Sequence, residues 1–440
     1  MNKKKQKNKK VKFLSLSVCG FKSIADKQTI EIRPLTILAG ANSSGKSSIM
    51  QPLLLMKQTL EAQYDPGVFL LDGPNVHFSL GDQLLWKGPD EHRTTEFTVE
   101  LEFDKILVRM KYVKAEKEID IAEMAYKFGD NEEQLFTKGM THDEIKEKIP
   151  DLFDSIYEEF GKLEELNFEV VRKRCFREIH IHSSGEFSFA IYTFSPGSFL
   201  VDLLLNLIHL PGLRGNPERT CKKIALGKYF PGTFQNYVAS VIDHWKEDSP
   251  DKLELLGKNL QKLGLTWKID SRDIDDTQIG LYVGRLPVGS MKKGSGDMVS
   301  IADVGLGVSQ TLPVVLALMV AEPGQIVYIE QPELHLHPGA QVALAQIISE
   351  ASKRGVRVVI ETHSQYLLLG VQTLVAEGKL NHNLVKLHWF TRRKNGSTKV
   401  SSVDLDKSGA YGDWPEDFSN VELKLEERYI NAFEKSLEME

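Results

Sequence analysis

The stretch "LTILAGANSSGKSSIMQPLLLM", residues 35–56, limits the possible folds more than any other part of the chain. An apolar run of strand type leads into G-x-x-x-x-G-K-[ST], and residues with helical spacing follow. Gly40 and Gly45 allow the backbone to curl until consecutive N–H groups point at one spot, with Asn42, Ser43, Ser44 and Ser48 completing the wall. Lys46 brings a positive charge to the β- and γ-phosphates of a nucleotide, and Ser47 offers a hydroxyl to Mg²⁺. The helix that begins there adds its positive dipole end.

The α/β pattern returns after residue 300. Residues 326–329 form an apolar strand ending in Glu330, an acid placed to hold Mg²⁺ through water. "ALAQIISEASKRG" reads as a helix stopped by Gly355, and "VRVVIETHS" as the next strand, ending at His363 within reach of a γ-phosphate. Apolar strands alternating with helices imply a parallel sheet covered on both faces, with ligands at the carboxyl ends of its strands. "DVGLGVSQTLPVVLALM" adds a second anion-binding helix start at Gly305, Gly307 and Ser309. Its separation from Lys46 makes sense if it faces the phosphate of another subunit.

Between these halves, "TTEFTVELEF", "KILVRMKYV" and "EFSFAIYTF" alternate like antiparallel strands with one wet face. Residues 142–166 read as an acidic helix and residues 198–263 as mostly helical. Apolar heptads nowhere persist long enough for a coiled-coil arm. The expected division is a basic disordered tail at 1–10 and the first half of the head at 11–92. A compact mixed α+β insertion then spans 93–299, the second head half 300–392, and C-terminal strands and a helix 393–440.

A net charge of −6 argues against general coating of nucleic acid, although the lysine-rich start could form a local basic strip or a solvated tail. Three scattered cysteines form neither a disulfide framework nor a metal spacing, so a reducing cytoplasm is the expected compartment. No apolar run is long enough to span a membrane, and no signal-type core follows the lysines.

Together, "GANSSGKSS", "GVSQ", "YIEQPELHLHP" and "IETHS" resemble the ABC-type ATPases of the RecF/SMC/OLD group. The resemblance implies an α/β P-loop head binding ATP and Mg²⁺. It makes residues 40–48 the Walker A loop, Glu330 the Walker B acid, "LHLHP" the D-loop and His363 the switch histidine. Residues 304–310 become the signature, and Gln83 a Q-loop ligand of the metal. Gln331 stands where many relatives have the catalytic glutamate. Either Glu333 or a water relay then substitutes, or turnover is slow and the ATP-bound dimer persists.

"LPGLRGNPER" and "DWPEDF" point to a bacterial branch of such ATPases. Arg214 and Arg219 reach phosphate or a partner, or form a salt bridge within the insertion. The family sandwiches two ATP molecules between two heads. About fifty residues beyond 390 are too few for a TOPRIM nuclease. The resemblance implies an ATPase sensor and scaffold working with a separately encoded effector, a nuclease, as in Septu and PARIS anti-phage systems, the final amphipathic helix being one place to dock it. The alternatives are a RecF-like DNA-repair ATPase and a regulatory ATP binder with little turnover.

Overall fold

The computed structural model describes residues 13–89, 93–116, 118–149, 166–183, 190–215, 217–285, 297–412 and 427–433. The lysine-rich start and "DWPEDF" lie outside the described residues, as does most of the expected 142–166 helix, of which His142–Lys148 is seen. The final helix is described only at 427–433, with Tyr429 and Ile430 exposed.

A six-stranded sheet forms the centre. Its strands are β1 (Leu35–Gly40), β2 (Ile208–Leu210), β3 (Ile326–Glu330), β4 (Arg357–Thr362), β5 (Val385–Arg392) and β6 (Thr398–Val403), in the spatial order β2-β3-β4-β1-β5-β6. All neighbours are parallel except the β5–β6 pair. Helix α1 (Lys46–Glu61) covers one face through Ile49, Met50 and Leu53, which pack with Leu38, Tyr328 and Val359. Helices α2 (Leu306–Val320), α3 (Pro338–Lys353) and α4 (Gln365–Ala376) cover the other, against Ile37, Ile329, Val358 and Leu387. Burial of both faces explains why β1, β3 and β4 read as largely apolar runs.

The segment 93–299 is shared among several layers. Its first strands, Glu96–Phe103, Ile106–Lys114, Ile119–Phe128 and Gln134–Thr137, extend an antiparallel sheet that begins with Gln28–Glu31 and Phe13–Cys19. Leu166–Lys173, Phe176–Ser183 and Ala190–Phe194 form a separate antiparallel sheet. Within the region expected to be helical, Ile208–Leu210 is instead β2, the edge strand of the central sheet beside β3. Three residues, Ile208, His209 and Leu210, before Pro211 and Gly212 are too few to show a period, so pattern could not separate this strand from a helix turn. Helices do follow at Val238–Asp248 and Pro250–Lys262. No helix of the described residues is long and apolar enough to cross a membrane.

Candidate nucleotide site

The glycine-bounded loop sits at the carboxyl end of β1 and opens α1. Gly45 has φ +96°, and an added Cβ there would collide with the Thr398 and Ser23 hydroxyls. Gly40 has φ +145°, and its Cβ would run into the Phe390 carbonyl. Both positions therefore exclude a side chain on conformation and on space. The Thr398 hydroxyl donates to the Ser44 carbonyl at 2.8 Å, tying the loop to β6. The Ser44 hydroxyl is buried without a hydrogen-bond partner, and Ser43 is left-handed at φ +59°.

Lys46 is buried and donates to the carbonyls of Gly40 (3.0 Å) and Ala41 (2.8 Å). Burial lowers its pKa, offset by the charges of Glu361 and Glu333. The Ser47 hydroxyl donates to Glu361 Oε1 at 2.8 Å, and the Tyr328 hydroxyl donates to Glu361 Oε2 at 2.7 Å. Burial and then the neighbouring Glu330 raise the Glu361 pKa, while the two hydroxyl bonds lower it.

Glu330, the acid expected to hold Mg²⁺, pairs in register with Glu361 on the next strand. Its Oε1 lies 3.3 Å from His209 Nε2, and its Oε2 accepts from the Gly212 N–H at 3.3 Å. His209 is fully buried on β2, stacks on Tyr328 and has Nδ1 3.0 Å from Asn75 Oδ1. Lys22, partly desolvated, feels the Glu330 charge and donates to Gln51 Oε1 at 2.9 Å.

Gln331 is left-handed at φ +46°, and its N–H donates to the Glu361 carbonyl at 2.7 Å. Glu333 Oε1 accepts from the Thr362 hydroxyl (2.8 Å) and the His363 N–H (2.9 Å), whereas its buried Oε2 has no partner. Desolvation raises the Glu333 pKa. His363 bonds to the Gly40 backbone, and burial followed by the Lys46 charge lowers its pKa. The structure thus brings Lys46, Ser47, Glu330, Gln331, Glu333 and His363 to one end of the sheet. Of six described non-glycine residues with positive φ, Lys22, Ser43, Gln331 and His335 lie in this site or its motifs. Each costs about 1–3 kcal/mol, and such strain concentrates at functional sites.

The remaining expected residues make the following contacts. Gln83 is exposed, and its amide oxygen accepts from Ser79 (2.8 Å) and Leu80 (3.3 Å), so its hydrogen bonds close its own turn. Gly305 opens α2 with open space around it, and the Ser309 hydroxyl donates to the Leu306 carbonyl. Gly307 packs beside Leu265 and the His335 carbonyl. Arg219 makes a two-pronged ion pair with Asp303 at the threshold of α2. Arg214 is buried and donates to the Glu330 (2.7 Å), Gln331 (3.3 Å) and Gln310 (3.2 Å) carbonyls, clamping the end of β3 to the first turns of α2. Burial pulls its pKa down to about 10, against the opposing charges of Glu333 and Glu330.

Pattern reading missed Glu361, His209 and Tyr328. The only local signal for Glu361 was an acid closing the apolar run "VRVVIE" just before the histidine.

Among the described residues no group of three or more His, Cys, Asp and Glu could hold a metal by itself. Oxygen donors from Ser47 and strand-end carboxylates do fit Mg²⁺, which is bound by one or two carboxylates together with substrate phosphates. The buried, unpartnered Ser44 hydroxyl in the loop fits phosphate oxygen.

A family model described as "AAA domain, putative AbiEii toxin, Type IV TA system" matches residues 35–369. The chain belongs to this AAA-domain family. Its fold is α/β, with the loop on β1, the acid on β3 and the histidine strand β4 between them. Three solved heads of SMC proteins are similar to it. One, bound to the C-terminal winged-helix domain of ScpA, has 14% identity and TM-score 0.44, covering 90% of this chain and 99% of that one. The SMC head domain from Thermotoga maritima has 11% identity and TM-score 0.40, with coverage of 90% and 100%. The Pyrococcus furiosus head, with an extended coiled coil and bound to the C-terminal domain of ScpA, has 13% identity and TM-score 0.44, with coverage of 90% and 96%. No curated protein matches this AAA-domain chain in sequence.

Proposed function

We propose that this AAA-domain protein is an ATP-gated switch that dimerises around ATP, hydrolyses it slowly, and acts as sensor and scaffold for a separately encoded effector in bacterial anti-phage defence. One observation carries the dimer. The phosphate loop opens α1 on one face of the central sheet, whereas the Gly305–Ser309 helix start opens α2 on the opposite face. A nucleotide seated on the loop then leaves Ser309 for the nucleotide of a second copy.

In this reading Lys46 turns from the Gly40 and Ala41 carbonyls to the β- and γ-phosphates, and the loop N–H groups cradle them. Ser47 and Glu330 would hold Mg²⁺, which would neutralise charge on the phosphates. His363, kept neutral by burial, donates or accepts a single hydrogen bond near the γ-phosphate. Gln331 orients the attacking water but cannot take its proton. Phosphoryl transfer depends mainly on positioning and electrostatics, so loss of the base slows turnover without abolishing it. In the alternative to slow turnover, Glu333, held by Thr362 and the His363 backbone, or a water relay accepts that proton.

The family description names a toxin of type IV toxin–antitoxin systems, which supports an effector-linked role in defence over a housekeeping one. The test is native mass spectrometry of the protein captured, with ATP and Mg²⁺, from cells carrying its own gene neighbourhood. Two or more copies with a second polypeptide, lost in Lys46→Ala, support the proposal. A homodimer holding DNA and no second protein replaces it with a repair role.

A further inference from the structure

The acid that meets the Walker serine is not the one that closes the Walker B strand. Glu361 stands at the end of β4, flanked on both sides by paired strands, and its side chain lies on the α1 face with Glu330. Ser47 and Tyr328 hold its two oxygens at 2.8 and 2.7 Å. Both donors are neutral hydroxyls. Lys46 donates to loop carbonyls and Lys22 to Gln51, so neither ammonium makes a hydrogen bond to this carboxylate. Burying one carboxylate beside another is costly unless a cation joins them. The buried, unpartnered Ser44 hydroxyl marks the same loop as a place where a ligand's oxygens arrive.

We propose that Glu361, with Ser47 and Glu330, is a ligand of the divalent cation that accompanies the nucleotide, and that Tyr328 positions it; this rests on reading the loop as an ATP site. Charge is then conserved around Gln331. The carboxylate missing at 331 is supplied one strand away, by the residue whose carbonyl accepts the Gln331 N–H. The rearrangement exchanges a proton acceptor beside the water for a second acid at the metal. It favours holding the nucleotide over cleaving it.

Mn²⁺ titrated into the full-length protein with a non-hydrolysable ATP analogue, followed by electron paramagnetic resonance, tests this directly. Glu361→Gln is expected to weaken Mn²⁺ binding about tenfold or more and change the line shape. Glu361→Asp should recover part of the affinity. Wild-type affinity and line shape in Glu361→Gln would overturn the proposal, leaving Glu361 as an anchor for Ser47. If that variant does not fold, Tyr328→Phe replaces it: an unchanged Mn²⁺ signal overturns the positioning role and the assignment with it. Wild-type protein binding the analogue no better than Lys46→Ala would instead refute the ATP site, and the cation site with it.

Discussion

Two helix starts in this molecule are written in nearly the same residues, glycines and a serine before an apolar helix, yet they are built differently. Around Gly45 the chain is crowded: β6, the Ser23 turn and the strand-end acids press on the loop until only glycine fits. Around Gly305 there is open space and an ordinary φ of −61°. The first start is packed by its own chain, while the second opens α2 on the opposite sheet face with space around Gly305. In the proposed reading the first is a completed half-site and the second awaits another copy, and the difference in crowding comes from neighbours distant in sequence.

Substitutions at the two starts should separate them. Lys46→Ala should lower ATP affinity about 100-fold in the monomer, by removing the Lys46 ammonium from the phosphates. Ser309→Arg should leave monomer affinity unchanged and abolish the ATP-dependent dimer, measured by nucleotide fluorescence and light scattering. A comparable affinity loss in both would erase the distinction.

Stability gives a second contrast. Gly45→Ala should cost about 1–3 kcal/mol in denaturant unfolding, through left-handed strain and the clash with Thr398 and Ser23. Gly305→Ala should fall within about 0.5 kcal/mol of wild type. Equal costs would mean that α2's start is packed after all.

On the loop side, turnover should also respond to the residue after the strand-end acid. Gln331→Glu is expected to raise ATP hydrolysis about tenfold by restoring a proton acceptor, with the dimer's lifetime in ATP shortened to match. No gain would assign slow turnover to another part of the site.

The smallest effect concerns the strand behind the loop. His388 on β5 is buried, with Nε2 donating to the Glu31 carbonyl and Nδ1 accepting from Ser402, both at 2.8 Å. Burial pushes its pKa from the ordinary 6.5 down to about 4. The unfolded chain binds the proton more readily between those values, so stability is intact above pH 6.5 and falls as pH drops towards 4. The loss should be about 1 kcal/mol at pH 6. Melting of His388→Gln against wild type across that window should show a flatter dependence in the variant.

The motifs were legible because each is local: strand, glycine loop and helix around Lys46, then apolar strands closing at Glu330 and His363. What escaped was set by pairing across the chain. Ile208–Leu210 is too short for a period, and only its place beside β3 makes it a strand. Arg214, read as reaching phosphate, a partner or an ion pair, spends its donors on backbone carbonyls, which leave no trace in composition. Glu361 was hidden by its position in an apolar run, since nothing there says that register would set it against Ser47.

The proposed composite site is tested most directly by mixing the two inactive variants. Lys46→Ala and Ser309→Arg should each fail alone to dimerise with ATP. Mixed, they should form a heterodimer in which one loop meets one intact α2 start, and part of the wild-type ATPase activity should return. Recovery of dimer and activity is the predicted result. No recovery, or full activity of Ser309→Arg by itself, would contradict a site shared between two copies.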